Sequence, residues 1–142
     1  MKLKDILKAL FIAGSAPQPE AMLGPGGSFS EWDVTMLTGI LPNLGRRWTQ
    51  HRKQFYNRMN IGVSGCNILF GDMRFGWFNL AQSKSEIDNR EVLHIDYAVA
   101  ENGSVTRLIS DQIRTTSDPN MMIGRFYFKD RFMGYFALTR KT

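Results

Sequence analysis

Apolar residues alternate with other residues along much of the chain after residue 60, which is the period of a β-strand. Three segments repeat one pattern, in which a glycine is followed at alternate positions by a phenylalanine and another large apolar residue. Its members are Gly76, Phe78 and Leu80; Gly124, Phe126 and Phe128; and Gly134, Phe136 and Leu138. Each copy places its three residues on one strand face, so the copies predict a shared core. The glycines suit a curved sheet or the close approach of another group.

Short turns separate the predicted strands. Strands are predicted within 46–58 and at 66–70, 74–82, 91–100, 105–115, 121–128 and 132–138. The Asn102-Gly103 pair is a strong signal for a tight hairpin between two of them. No segment between the strands is long enough to form a crossover helix, so a parallel sheet is not expected. The pattern predicts an antiparallel meander.

The first third of the chain predicts two short helices. Leu3, Ile6, Leu7, Leu10 and Phe11 recur at helical spacing within residues 1–13. A second helix is predicted from the capping-box spacing of Ser28 with Glu31 and of Ser30 with Asp33, and it would end before Pro42. Its apolar side would hold Trp32, Met36, Leu37, Ile40 and Leu41. The predicted fold is therefore mainly β, with residues 1–44 forming a helical and loop segment that packs on a barrel of residues 45–142.

The first helix has three interpretations. It packs on the domain or on a partner, it lies on a membrane surface, or it begins a signal peptide that ends near residues 13–16. Lys8 interrupts the apolar stretch and leaves too short a core for a signal peptide. We favour the docked helix.

Composition limits the class of protein more than its function. The chain has 142 residues, of which 43% are hydrophobic and 22% charged, as expected for one globular domain. No apolar run approaches the roughly 20 residues that a membrane-spanning helix needs. The single cysteine favours a reducing compartment, so we expect a cytoplasmic protein that contacts membranes, if at all, through residues 1–13. The net charge of +5 permits an anionic partner without requiring one.

Residues 46–58 combine five Lys or Arg residues with three aromatic residues. This combination suits single-stranded nucleic acid, because cations bind phosphate and aromatic rings stack on bases. No recognisable nucleic-acid-binding module surrounds the segment. We therefore interpret it as a strand with a basic face and do not expect a nucleic-acid partner.

Candidate catalytic residues lie on two neighbouring predicted strands. His94 and Asp96 share one strand face, and a carboxylate beside a histidine can orient the ring for acid–base catalysis. Asp111 and Arg114 on the next strand would orient the base or stabilise charge. The alternative is a solvated face with cross-strand charge pairs such as Asp96 with Arg107. Two histidines and one cysteine are too few for a conventional zinc site, so we expect no metal and no cofactor.

The segment Gly45-Arg-Arg-Trp48, together with Arg140 near the end of the last strand, resembles the calycin superfamily of lipocalin-like barrels. In calycins a tryptophan on the first strand packs beneath an arginine near the end of the last. The resemblance covers residues 45–142 and implies a cavity for a hydrophobic ligand. Phe75-Gly-Trp-Phe78 and Ile95-Asp-Tyr97 also resemble stretches of bacterial barrel proteins.

Two functions therefore compete at this stage. In the first, the barrel binds a small lipid-like molecule, and the first helix acts as a lid or a membrane contact. In the second, the barrel is an isomerase, cyclase or hydrolase of an apolar substrate that uses His94 or Asp96 as the base. The ligand would be lined by Trp77, Phe78, Leu80, Tyr97, Phe126, Phe128, Phe136 and Leu138. A barrel filled by its own side chains, and a homodimer, also remain open.

Overall fold

The computed structural model describes residues 2–39 and 51–141. These residues form one α-helix, three short 3-10 turns and eight β-strands. The helix α1 is Leu3–Ala13, and the 3-10 turns are Pro19–Met22, Pro25–Gly27 and Thr106–Leu108. The strands are β1 (Ser30–Met36), β2 (Arg52–Arg58), β3 (Gly62–Leu69), β4 (Met73–Lys84), β5 (Glu91–Asp96), β6 (Ile109–Thr115), β7 (Met121–Phe128) and β8 (Arg131–Arg140).

The eight described strands close into an antiparallel barrel in which each strand pairs with the next along the chain. Closure comes from β1 and β8, which pair from Trp32 opposite Arg140 to Met36 opposite Phe136. The predicted antiparallel meander barrel is therefore confirmed. We call the end with the connections 70–72, 97–108 and 129–130 the upper end, and the end with 14–29, 59–61, 85–90 and 116–120 the lower end.

The predicted second helix is wrong, because Ser30–Met36 forms strand β1. The side chains of Trp32, Val34 and Met36 join the interior core, which requires the two-residue period of a strand. Spacings of four residues, as between Trp32 and Met36, fit a helix and a strand equally well. The barrel consequently begins at Ser30, inside the segment 1–44 that we expected to pack on it from outside.

The Asn102-Gly103 pair does not form the predicted tight hairpin. Residues 97–108 instead make a longer connection between β5 and β6 that includes the 3-10 turn Thr106–Leu108. The side chain of Asn102 is buried and accepts a hydrogen bond from the Trp77 amide at 2.9 Å. It also donates to the backbone carbonyls of Trp77 and Tyr97, so it ties this connection to β4.

The lower end is closed by the segment that precedes β1. Met22 and Leu23 are buried against the interior core, and the Trp32 indole donates to the Met22 carbonyl at 3.1 Å. The Arg140 guanidinium lies 4.2 Å from the centre of the Trp32 ring and donates to the carbonyls of Ala21 and Leu23. A tryptophan–arginine stack thus exists with Trp32. Trp48, the partner that we predicted for Arg140, lies outside the described residues.

Helix α1 packs on the outer wall of the barrel, which confirms the docked interpretation. Leu7 and Phe11 are buried against Val92, Ile123 and Tyr135. Because α1 lies on the wall, it does not act as the expected lid over a described barrel end. One flank of α1, next to the buried Leu7, keeps Leu3, Ile6 and Leu10 at 43–55% exposure.

Two of the three repeated glycines make room for phenylalanine rings of neighbouring strands. Gly124 is paired with Phe136 and Gly134 with Phe126, and an added Cβ at either glycine would meet the partner ring within 2.8 Å. Gly65 is paired with Phe78 in the same way. The glycines therefore serve the interior packing of aromatic rings against neighbouring strands.

Candidate functional site

Four polar side chains meet inside the upper half of the barrel. They are Lys53 on β2, Asn67 on β3, Tyr97 directly after β5 and Asp111 on β6, and we call them the inner polar cluster. All four are buried, with exposed fractions of 3–4%. They face inward because Lys53 pairs with Trp32 and Asp111 with Ile95, both of which belong to the interior core.

The Lys53 amine is the centre of the inner polar cluster. It donates to Asn67 Oδ1 at 2.7 Å and to the Tyr97 hydroxyl at 2.5 Å. Its Nζ lies 3.4 Å from Asp111 Oδ2, and the Tyr97 hydroxyl donates to the same oxygen at 3.1 Å. The rings of Phe78, Tyr97 and Phe136 surround the amine, with centres 5.2–5.9 Å away. A cation–dipole network is thus enclosed by aromatic walls.

Burial dominates the protonation of this cluster. It lowers the pKa of Lys53 and raises the pKa of Asp111, while the attraction between the two charges opposes both shifts. Burial also raises the pKa of Tyr97 well above its usual value. The pKa values of Lys53 and Asp111 therefore move toward each other, which lowers the free-energy difference between the charged and the neutral pair.

His51 extends the network toward the upper end. Its Nε2 donates to Asn67 Oδ1 at 2.9 Å, and its ring lies 6.0 Å from that of Phe75. Burial lowers the pKa of His51 to about 4, and the nearby Lys53 charge adds to this shift. The imidazole is therefore neutral at neutral pH.

Apolar side chains of the interior wall remain only half-buried near the inner polar cluster. Val34, Met36, Ile109 and Phe126 pack against the core and belong to the upper parts of their strands. Their register places them inside, because Met36 pairs with Phe136 and Phe126 with Asp111. Water therefore reaches part of the interior wall here.

Six of the eight predicted ligand-lining residues join one core cluster. Phe78, Tyr97, Phe136 and Leu138 are buried in it, and Leu80 and Phe126 pack against it. Trp77 and Phe128 are not members. Trp77 follows the positive-φ residue Gly76, where the register between β3 and β4 shifts, and its backbone is bound by Asn102.

The four predicted catalytic residues do not lie together. His94 and Asp96 are half-buried on the outer wall, where His94 pairs with Gln112. The Asp96 carboxylate accepts a hydrogen bond from the Ala98 amide at 2.9 Å. Asp111 points inward to Lys53, and Arg114 lies on the outer wall beneath α1. The barrel wall therefore separates Asp111 from His94 and Asp96.

Arg114 is the centre of a second charged site on the outer wall. Its guanidinium donates to both Asp88 carboxylate oxygens at 2.7 and 2.8 Å, and to the carbonyls of Phe11, Arg90 and Glu91 at 3.1 Å. It also lies 4.5 Å from the centre of the Phe11 ring. These contacts join α1 to the connection between β4 and β5, and we call Arg114 and Asp88 the outer ion pair.

Sequence reasoning missed three residues of the inner network: Lys53, Asn67 and His51. Lys53 lies in the basic segment 46–58, which we interpreted as an exposed strand face. The sequence did contain an indication that Lys53 faces inward. Lys53 and Phe55 are two residues apart, so they share one face of the strand, and Phe55 is a core residue. Tyr97 and Asp111 were chosen from the sequence, but for two different sites.

Comparisons with protein-family models, with curated proteins and with solved structures gave no match. Within residues 2–39 and 51–141, no helix has the length and apolar character needed to cross a membrane. The same residues contain no group of three His, Cys, Asp or Glu side chains arranged to hold a metal ion.

Proposed function

We propose that the barrel binds a small, mostly apolar molecule whose polar group contacts the inner polar cluster. One observation carries this proposal. The inward-facing apolar residues Val34, Met36, Ile109 and Phe126 stay half-buried beside the buried cluster. A small-molecule site usually has a mostly apolar wall and a few polar groups that converge at one place.

The energetics of the inner polar cluster support a role beyond folding. Removing two opposite charges from water costs several kcal/mol per ion, which their mutual attraction regains only in part. Apolar residues of similar volume stabilise a barrel interior as well or better. Stability alone therefore explains the Lys53–Asp111 pair poorly, whereas a role in ligand recognition would account for it.

The charge of the cluster selects the polar group of the ligand. Asp111 lies 3.4 Å from Lys53 and balances its charge, so the cluster has no net charge whether the pair is ionic or neutral. A ligand carboxylate would have to compete with Asp111 for the same amine. A neutral carbonyl or hydroxyl can accept or donate hydrogen bonds there without adding a buried charge. We therefore infer an uncharged lipophilic ligand.

The calycin resemblance supports the same class of ligand. Closure by eight strands, the stack of Arg140 on Trp32 and the plug formed by Met22 and Leu23 agree with the architecture that this resemblance implies. The likeness concerns architecture, and architecture alone does not determine what a barrel binds. The inner polar cluster, rather than the architecture, indicates the chemistry of the ligand.

A filling variant tests the proposal. Val34→Phe should occupy the accessible part of the interior, while Thr35→Phe, on the exposed side of the same strand, serves as the matched control. We expect the wild-type protein to bind a neutral fluorescent lipid analogue and Val34→Phe to lose about tenfold in affinity, which is roughly 1.4 kcal/mol. Native mass spectrometry of the purified protein should also detect a bound molecule. No uptake by the wild type, or equal uptake by both variants, would contradict the proposal.

The enzyme alternative keeps a separate test. If His94 and Asp96 act on a substrate, that substrate binds on the outer wall, and replacing both residues by Asn should abolish its turnover. Because both lie on the outer wall, we expect the double variant to bind the lipid analogue as the wild type does. Loss of turnover with retained binding would favour the enzyme over the binding protein.

The exposed side of α1 supports a second proposal, contact with a lipid surface. Leu3, Ile6 and Leu10 form an apolar stripe there, and Lys4 and Lys8 lie elsewhere on the helix. We expect binding to anionic vesicles in a flotation assay, with loss of binding in Ile6→Asp and no loss in the control Ala9→Asp. Vesicle-independent dimerisation that Ile6→Asp abolishes would identify a second copy of this chain as the occupant instead.

A further inference from the structure

We propose that Lys53 forms an imine with an aldehyde carried by an apolar molecule inside the barrel. This inference rests on the proposed function and names its ligand more closely, as a lipophilic carbonyl compound. It also gives the site a covalent step, which the binding proposal does not require.

The surroundings of the Lys53 amine suit this chemistry. A lysine nucleophile is activated by an apolar, desolvated site, and only 3% of Lys53 is exposed among the rings of Phe78, Tyr97 and Phe136. A carbonyl carbon that reaches the amine would place its oxygen near the Tyr97 hydroxyl and the Asn67 amide, both of which already contact this network. The two Asn67 amide hydrogens are donated to the Gly76 carbonyl and to Tyr97. Once Asp111 takes up the Lys53 proton, the Tyr97 hydroxyl can turn from Asp111 and donate a hydrogen bond to the oxygen as negative charge develops on it.

The proton that Lys53 must lose has an acceptor nearby. Asp111 Oδ2 lies 3.4 Å from Nζ, and Tyr97 donates to the same oxygen. Transfer of one proton from the ammonium to the carboxylate leaves a neutral amine and a neutral carboxylic acid. Burial favours this transfer, because it lowers the pKa of Lys53 and raises that of Asp111.

The step balances without an oxidant or a reductant. The amine nitrogen attacks the carbonyl carbon, a C–N bond forms, and one nitrogen proton passes to the former carbonyl oxygen through Tyr97. The protonated Asp111 then gives its proton to the resulting hydroxyl group, the C–O bond breaks, and water leaves. The product is a protonated imine on Lys53 beside the Asp111 carboxylate, so the cluster again has no net charge.

The chain provides its own controls for selectivity. The other six lysines, which are Lys2, Lys4, Lys8, Lys84, Lys129 and Lys141, are all exposed. An exposed ammonium is strongly hydrated, and this hydration opposes its reaction with a carbonyl compound. Each unit by which a lysine pKa falls raises the fraction of neutral amine about tenfold at neutral pH. Lys53 should therefore react in preference to the surface lysines.

Reductive trapping tests the proposal. The wild-type protein is incubated at pH 7 with decanal and sodium cyanoborohydride, which converts an imine to a stable secondary amine. We expect one decyl group per chain by intact mass spectrometry, and peptide mapping should assign it to Lys53. Decanol, which has the same apolar body but forms no imine, should compete with this labelling. The mapping requires no variant, so it does not depend on how well a mutant folds.

Two variants complete the test. Lys53→Arg should lose the adduct, and Lys84→Arg should label and bind decanol as the wild type does. Adducts on surface lysines or the amino terminus alone, with decanol still bound, would overturn the imine and leave the proposed binding function intact. Failure to bind either decanol or decanal would overturn both.

Discussion

Two charge pairs of this barrel, a buried one inside and a partly exposed one outside, differ in what surrounds them. The outer ion pair of Arg114 and Asp88 has short two-pronged contacts, and Arg114 also donates to three backbone carbonyls. Hydrogen bonds from Arg114 lower the pKa of Asp88 to about 2, which favours the charged form. The inner pair of Lys53 and Asp111 is longer, at 3.4 Å, and burial pushes both groups toward their neutral forms.

The difference shows how the same types of charge serve two purposes. An arginine that binds a carboxylate and several carbonyls stays charged and joins separate segments of chain, here α1 and the 85–90 connection. A lysine enclosed by aromatic rings holds its proton weakly and remains a candidate for ligand contact or chemistry. The outer pair is therefore a structural link, and the inner pair is the better candidate for function.

The largest expected effect comes from removing the outer arginine. Arg114→Met should lower the free energy of unfolding by about 3–5 kcal/mol, because Asp88 and three carbonyls lose the hydrogen bonds that the buried Arg114 side chain donates. Urea unfolding measures this change. The control Arg58→Met removes a surface pair with Glu101 and should cost at most about 1 kcal/mol. Equal effects of the two variants would mean that the outer pair is not a structural link.

The inner pair should behave differently in a double-mutant cycle. Lys53→Met alone should cost about 3 kcal/mol, somewhat less than Arg114→Met because Asp111 can take up a proton. Adding Asp111→Leu should recover most of that loss, since the remaining polar partners Asn67 and Tyr97 still bind each other. The outer double variant Arg114→Met with Asp88→Leu should not recover, because the three carbonyls stay without a donor. If stability recovered in both double variants, or in neither, the inner and outer pairs would not differ in the way proposed.

A smaller effect tests how tightly the interior is packed around the inner cluster. Gly124→Ala would place a Cβ 2.2 Å from the Phe136 ring, so we expect a loss of about 1–3 kcal/mol. Gly103→Ala is the control, because nothing lies within 4 Å of its added Cβ. Thermal unfolding measures the change, and Gly124→Ala should melt at a lower temperature than Gly103→Ala. Similar melting temperatures would show that the barrel interior is looser than these contacts imply.

The smallest expected effect is the acid dependence of the outer ion pair. The pKa of Asp88 is about 2 in the folded protein and 3.8 ordinarily, so its contribution to stability is present above pH 4. It should be lost as the pH falls from about 4 to about 2. The stability difference between wild type and Asp88→Asn should therefore shrink over that range in urea titrations. A stability difference that stays constant over this pH range would show that Arg114 does not lower the pKa of Asp88.

Periodicity predicted most of the barrel wall. Alternate spacing of apolar residues predicts the strands after residue 60, and helical spacing predicts α1. The structure confirms both. Strand β1 was missed because Trp32 and Met36 fit both periods and because Ser28 and Ser30 imitate helix caps. The prediction of a tight hairpin at Asn102 was wrong, because the Asn102 side chain binds backbone groups of β4 and of Tyr97 instead.

The pattern of residues along the chain predicts the strands after residue 60, their antiparallel order and the aromatic character of the core. These properties depend on neighbours in the chain, through side-chain alternation and short turns. Which polar residues face inward depends on the folded barrel and not on neighbours in the chain. Residues 109–115 carry polar groups on both faces, and the partners of Lys53 lie 14, 44 and 58 positions away at Asn67, Tyr97 and Asp111. Closure of the barrel, which pairs β1 with β8, brings such distant groups into one enclosed space where burial changes their chemistry.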